Sequence, residues 1–226
     1  MYANNETVNK IVAYEWDMFH AVNDGEARAS CQEDYDTFRG MRSAQFAAWS
    51  QDAAESYLDD LAAAKLTGRN LAEEKYIHMM KNTEPYKYET LVARAVLPGA
   101  DAAVVAKEIS DRLLTQTVAL HAELPYVSGA GRPLHSTQDF SGVTSIETYQ
   151  LGELYTYSEK TLTALREHVL ALENAGESLA RKILENTVAF YGYTSLEAAE
   201  KVTKERIDSI GIQISYGCQS DEECAI

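Results

Sequence analysis

Hydrophobic residues recur along this chain at steps of three and four positions, which is the spacing of the buried stripe of an α-helix. No segment alternates apolar and polar residues with the period of a β-strand. Only 4 prolines and 12 glycines interrupt the pattern, mostly between the periodic segments. The pattern predicts an all-α protein, a single-domain bundle of about seven or eight helices over residues 1–213. Residues 214–226 are expected to form a flexible acidic tail.

The predicted helices lie in residues 7–22, 34–65, 70–80, 85–97, 101–123, 144–174, 177–191 and from 194 onward. Thr144 and Thr194 are each followed three residues later by a glutamate, and this capping-box pattern predicts both threonines as N-caps. Residues 125–143 break the helical periodicity with Gly, Ser and Pro. Because long loops in compact domains are often functional, we expect this segment to act as a lid.

Two charged residues interrupt the apolar stripes of the first two predicted helices. Glu15 lies between Ile11 and Phe19 at steps of four, and Arg42 shares a helical face with Phe46. A guanidinium buried without a partner would be very costly. We therefore expect these helices to pack as an antiparallel pair in which Glu15 and Arg42 form a bidentate contact. This pair could either fix helix register or share Arg42 with an anionic ligand.

Further polar residues are expected to point inward. Tyr149, Glu153 and Tyr157 follow one another at steps of four along the border of a buried helical face, and Gln45 lies one turn from Arg42. Convergent polar groups of this kind favour a ligand pocket over an ordinary core. The residues expected to surround such a pocket are Glu15, Arg42, Gln45, Arg132, Asp139, Tyr149, Glu153 and Tyr157.

Composition and charge narrow the classes of partner. The 226 residues are 46% hydrophobic and 24% charged, as in ordinary globular proteins. The formal net charge of −15 argues against binding to nucleic acid or to an anionic membrane, since both need a basic surface. The chain shows neither a membrane-spanning apolar stretch nor the pattern of a signal peptide, and we expect it to be cytoplasmic.

The cysteine and histidine residues suggest few catalytic or metal-binding sites. Cys31 precedes a predicted helix start, where the helix dipole lowers a thiol pKa, and is therefore a candidate nucleophile. Cys218 and Cys224 lie in the acidic tail. Together with Cys31 they are too few and too oddly placed for a disulfide framework. The chain lacks the paired ExxH motif of a helical di-metal site and the glycine-rich motifs of nucleotide-binding proteins. We expect neither a metal nor a cofactor.

Five short segments of the sequence together resemble a known family. They are "EWDMFHAVN", "ASCQEDYDTFRGMRSAQFAAW", "EKYIHMMKNTEPYKYE", "TSIETYQLGELYTYS" and "YGYTSLEAAE". They resemble a bacterial family known as domain of unknown function 4125, and the resemblance covers nearly the whole chain. It implies a single helical domain and brings no reaction with it. Glu26 departs from the family pattern, where a second glycine is expected in the first loop.

The resemblance also implies which positions belong to the family pattern, and the histidines are not among them. Those positions are Glu15, Trp16, Cys31, Gln32, Asp34, Thr37, Phe38, Arg42, Gln45, Trp49, Arg132, Asp139, Ser145, Glu147, Tyr149, Gly152, Glu153, Tyr157 and Ser158.

Two functions remain open for the expected pocket. One is a metal-independent enzyme with lyase or isomerase chemistry on a small carboxylate-bearing substrate. Its base would be Glu153 or Glu15 with a pKa raised by burial, and Tyr157 or Tyr149 would return the proton. Substrate binding would fall to Arg42, Gln45, Arg132 and Asp139. The alternative is a non-catalytic small-molecule-binding or scaffold domain, in which the same groups form a satisfied network that sets helix packing.

Overall fold

The computed structural model describes residues 2–22, 30–129 and 131–210, with the side chains of residues 30, 31 and 210 left out of the description. Over these ranges the chain is all-α, as predicted, but it forms eleven α-helices rather than seven or eight. The helices are α1 (Asn5–Ala21), α2 (Tyr35–Ala47), α3 (Gln51–Thr67), α4 (Leu71–Thr83), α5 (Pro85–Leu91), α6 (Ala100–Glu123), α7 (Pro125–Gly129), α8 (Ile146–Leu154), α9 (Glu159–Asn174), α10 (Leu179–Phe190) and α11 (Leu196–Ile210). The expected acidic tail, including Cys218 and Cys224, lies outside the described residues, as does the side chain of Cys31.

Two of the long predicted helices are each divided in two, and a serine cap begins the second half of both. The segment 34–65 breaks before Ser50, whose side chain accepts a hydrogen bond from Ala53 N at 3.2 Å. The segment 144–174 breaks before Ser158, which accepts from Thr161 N at 3.2 Å. Because a serine oxygen satisfies an otherwise unpaired amide, the chain can restart in a new direction at each position.

Both threonines predicted as N-caps are replaced in that role by the serine that follows them. Ser145, not Thr144, caps α8 and accepts from Thr148 N at 3.2 Å, while Glu147 accepts instead from Ser136 N at 2.8 Å. In the same way Ser195 Oγ, not Thr194, accepts from Ala198 N at 3.2 Å at the start of α11. A Thr-Ser pair offers two equivalent caps, and the packing of the helix selects between them.

The segment 125–143 has more structure than expected. It contains α7 and a short 3₁₀ helix at Ser136–Gln138. Its middle is joined to the start of α8 by two backbone hydrogen bonds, from Ile146 N to Pro133 O at 2.7 Å and from Glu147 N to Leu134 O at 3.1 Å. Residues 133–138 are therefore tied to a helix rather than suspended over the surface.

The main core lies where α1 packs against α2, α3 and α4, and where α3 packs against α9. Fully buried Ile11, Phe46, Leu61 and Leu162 form part of it. Each such side chain stabilises the fold by about 1.5–3 kcal/mol. A smaller cluster around Leu120 and its neighbours joins α6, α10 and α11.

Of the polar residues expected to form a pocket, Glu15 lies on α1, Arg42 and Gln45 on α2, and Tyr149 and Glu153 on α8. The other three, Arg132, Asp139 and Tyr157, lie outside the α-helices. None of the helices in the described ranges is long and apolar enough to cross a bilayer.

Candidate functional site

The two charged residues predicted to meet between α1 and α2 form a buried ion pair. Arg42 donates from Nε to Glu15 Oε2 at 2.6 Å and from Nη2 to Glu15 Oε1 at 2.5 Å. One turn away, Phe19 of α1 stacks on Phe38 of α2 with ring centroids 5.1 Å apart. Because residue numbers rise on α1 as they fall on α2, the two helices are antiparallel, as expected.

Glu153 of α8 joins the same guanidinium. Arg42 Nη2 donates to Glu153 Oε1 at 3.0 Å, and Nη1 donates to Glu153 Oε2 at 3.2 Å. Nη1 also donates to Gln45 Oε1 at 2.8 Å, while Gln45 Nε2 donates to Glu153 Oε1 at 2.9 Å. All five N–H groups of Arg42 therefore have partners within the protein.

Two buried tyrosines also donate hydrogen bonds to these carboxylates. Tyr57 donates to Glu15 Oε1 at 2.7 Å, and Tyr157 donates to Glu153 Oε1 at 2.7 Å. Their rings contact each other with centroids 4.6 Å apart. Tyr57 was not expected from the sequence, although it shares the buried face of α3 with Leu61, one turn away.

Lys75 of α4 adds a second cation. Its Nζ donates to Tyr149 Oη at 2.9 Å and to Glu153 Oε2 at 3.3 Å, and only 12% of the side chain is exposed. Lys75 was missed by the sequence analysis. The same signal that identified Glu15 could have found it, because Lys75 lies four residues from both Leu71 and Met79 on the buried face of α4.

A glycine allows α8 to approach α4 at this point. A Cβ atom at Gly152 would lie 2.8 Å from Met79 Cγ and 3.1 Å from the Lys75 carbonyl oxygen. The next residue on α8 is Glu153, so this close contact brings its carboxylate within reach of the Lys75 ammonium.

A cavity of about 530 Å³ lies against this polar cluster. Its polar side is formed by Glu15, Arg42, Gln45, Tyr57, Lys75, Tyr149 and Glu153. Its apolar side includes Phe38, Leu61 and Ile183. Exposed Met41 and Arg132 also line it, so the cavity reaches the surface. Its size is typical of small-molecule sites.

Arg132 lies at the mouth of the cavity. Its guanidinium carbon is 5.0 Å from the centroid of the Tyr149 ring, and its Nη1 donates to Thr144 O at 3.1 Å. Lys75 Nζ is 4.4 Å from the centroid of the same ring. Within the described ranges Arg132 has no carboxylate partner, so most of its N–H groups are free to bind a ligand.

The remaining sequence candidates lie outside the cavity. Tyr157 and Asp139 are absent from the described residues that line it. Asp139 instead accepts from Ser145 N at 2.6 Å and from Thr148 Oγ1 at 2.5 Å. The structure therefore places Asp139 at the start of α8, where it ties the segment that carries Arg132 to the helix.

Opposite charges within the cluster stabilise the ionised forms of Glu153 and Lys75. Burial raises the pKa of the Glu153 carboxyl, but Arg42 and Lys75 outweigh it and hold that pKa well below its ordinary range. This is the opposite of the raised pKa expected for a buried general base. Burial has the opposite effect on an ammonium and lowers the pKa of Lys75, but Tyr149 and Glu153 outweigh it and raise that pKa above its ordinary value. Both groups are therefore charged at neutral pH.

Comparison with known proteins identifies the family. A family model described as "Protein of unknown function (DUF4125)" matches residues 5–201. The chain belongs to this family. Every residue of the polar cluster lies within the matched segment. No significant match was found among curated proteins or among solved structures.

The described residues of this DUF4125 chain also bear on a metal site and on the candidate nucleophile. In the part of the chain that the structure describes, no three His, Cys, Asp or Glu side chains are arranged as metal ligands. The candidate nucleophile Cys31 lies in a short 3₁₀ helix, Ser30–Glu33, but its side chain is outside the described set.

Proposed function

We propose that this protein is an acid–base enzyme of lyase or isomerase type that binds a small carboxylate-bearing molecule in the cavity. One observation carries the proposal: two cations, Lys75 and Arg132, face the ring of Tyr149 where it lines the cavity. Like charges around one ring repel each other, and an anion between them would remove that repulsion.

Anion binding is assigned to Lys75 and Arg132 rather than to Arg42. The guanidinium of Arg42 already donates all of its N–H groups to Glu15, Glu153 and Gln45. A ligand could bind it only by displacing one of these partners. Arg42 thus holds the surrounding side chains in place, while Arg132 and the third N–H group of Lys75 remain available to bind a ligand.

Proton transfer is assigned to Tyr149. Tyr149 lines the cavity, and its hydroxyl accepts a hydrogen bond from the Lys75 ammonium at 2.9 Å. The phenolate of Tyr149, which an ammonium in this position stabilises, takes the α-proton of the substrate, and the resulting phenol gives a proton back to the carbanion. Glu153 is a weaker candidate base, because it accepts five hydrogen bonds and its pKa is lowered.

Ligand-induced thermal stabilisation tests the binding step. A carboxylate such as 3-phenylpropionate at about 100 times its dissociation constant should stabilise the protein by about 2.7 kcal/mol. Arg132→Met should weaken this binding, whereas the matched variant Arg206→Met, on exposed α11, should leave it unchanged. If no small carboxylate raises the melting temperature, the binding proposal is wrong.

Proton exchange tests the catalytic step. A bound carboxylate incubated in deuterated water should lose the NMR signal of its α-hydrogen, and Tyr149→Phe should abolish the loss. Binding without exchange would favour the second candidate, a non-catalytic small-molecule-binding or scaffold domain. The complete pairing of Arg42 within the protein is the observation that supports this second candidate.

A further inference from the structure

The charges around the cavity are balanced, which bears on the kind of molecule that it accepts. Among the described residues, three carboxylates line it, from Glu15, Asp34 and Glu153, and three cations line it, from Arg42, Lys75 and Arg132. A simple anion would leave this lining with one excess negative charge. A ligand that carries one charge of each sign keeps the balance.

Glu15 has unused capacity to accept a hydrogen bond. Each carboxylate oxygen can accept about two hydrogen bonds. Among the described residues, Glu15 Oε2 accepts from Arg42 Nε only, at 2.6 Å, while Oε1 accepts from both Arg42 and Tyr57. Glu153, by contrast, accepts five bonds. Glu15 is therefore the carboxylate of the buried cluster that can receive a further donor.

Aromatic rings beside Glu15 suit a cationic donor. Phe19, Phe38 and Tyr57 all line the cavity, and Phe19 stacks on Phe38. An ammonium group is attracted both by a carboxylate and by the faces of such rings. The carboxylate-binding cations Lys75 and Arg132 both lie over the Tyr149 ring, and Lys75 also lies 5.5 Å from the centroid of Tyr76, so neither is assigned to the rings of Phe19 and Phe38.

We propose that the ligand is a zwitterion, an amino acid with an apolar side chain, whose ammonium binds Glu15 and whose carboxylate binds Lys75 and Arg132. This inference rests on the proposed function and specifies its substrate class. The apolar part of the ligand packs against Met18, Met41, Leu71 and Ile183, which line the cavity. These side chains offer no polar partner for a hydrophilic side chain.

Matched probes separate the two proposals on the wild-type chain. Isothermal titration compares L-phenylalanine with 3-phenylpropionate, which lacks the ammonium, and with 2-phenylethylamine, which lacks the carboxylate. A second set compares L-leucine with 4-methylpentanoate and 3-methylbutylamine. In at least one set the amino acid should bind about tenfold or more tightly than both analogues.

If the carboxylates bind as tightly as the amino acids in both sets, the zwitterion inference is overturned and the carboxylate site stands. If no probe binds, both proposals are overturned. Glu15→Gln should remove the preference for the amino acid while keeping the weaker binding of the carboxylate analogue. The wild-type comparison decides the matter even if that variant does not fold.

Discussion

Arg42 of α2 and Glu15 of α1 are joined by two parallel hydrogen bonds, of 2.6 and 2.5 Å, with each residue only 8% exposed. The same guanidinium holds Glu153, which lies 111 residues away in the sequence. One cation thus connects three helices, α1, α2 and α8. This connection determines both how the bundle is held together and which groups remain available to a ligand.

Removal of the central cation should destabilise the fold. Arg42→Met leaves Glu15 without its ion partner and Glu153 with Lys75 alone, and we expect a loss of about 3–5 kcal/mol. Urea unfolding followed by circular dichroism measures this loss. The control Arg206→Met, on the exposed surface of α11, should stay within about 0.5 kcal/mol of wild type. An equal effect of the two substitutions would mean that the buried pair contributes no stability.

Stability should depend on Glu153 in acid. Its pKa is lowered in the folded protein from an ordinary value of 4.5, against burial, by Arg42 and Lys75. The folded state therefore binds this proton less readily than the unfolded state, and the contribution is present above pH 4.5 and is lost as the pH falls through the folded pKa. We expect the difference in unfolding free energy between wild type and Glu153→Gln to be constant near neutral pH and to shrink below pH 4.5. A difference that does not change with pH would contradict the lowered pKa.

The close approach of α8 to α4 should tolerate no side chain at Gly152. Gly152→Ala places a methyl group 2.8 Å from Met79 Cγ and 3.1 Å from the Lys75 carbonyl oxygen. We expect a loss of about 1–3 kcal/mol from overpacking, together with weaker carboxylate binding as Lys75 moves. Gly131→Ala is the matched control for stability, because nothing lies within 4 Å of its added methyl group. Equal stability of the two variants would show that the contact is not tight.

Asp139 should act on ligand binding through the segment that it anchors. Asp139→Ala removes the acceptor for Ser145 N and Thr148 Oγ1, and we expect a loss of about 0.5–2 kcal/mol, as for other helix caps. Carboxylate affinity should also fall, since Arg132 is carried by this segment. Asp208→Ala, at an exposed position of α11, should change neither property. Unchanged affinity in Asp139→Ala would separate Asp139 from the ligand site.

Part of the site could be predicted because helical periodicity is local. The period alone places Glu15 and Arg42 on buried faces, and burial of opposite charges demands that they meet. The same reasoning would have found Lys75, which interrupts the buried face of α4 between Leu71 and Met79. It could not have shown that Arg42 is fully paired, because that depends on the combined geometry of three helices and on Gln45.

The sequence by itself determined the helical class, the capacity to begin helices at serine or threonine, and the inward direction of Glu15, Arg42 and Glu153. These properties depend on neighbours within a few turns of the same helix. Only the tertiary structure decided where the long helices break, that Asp139 accepts from the cap residue of α8, and that Lys75 and Arg132 share the ring of Tyr149. The physical reason is that a side chain finds its partner across helices, so its charge state and free hydrogen-bonding groups are set by residues far away in the sequence.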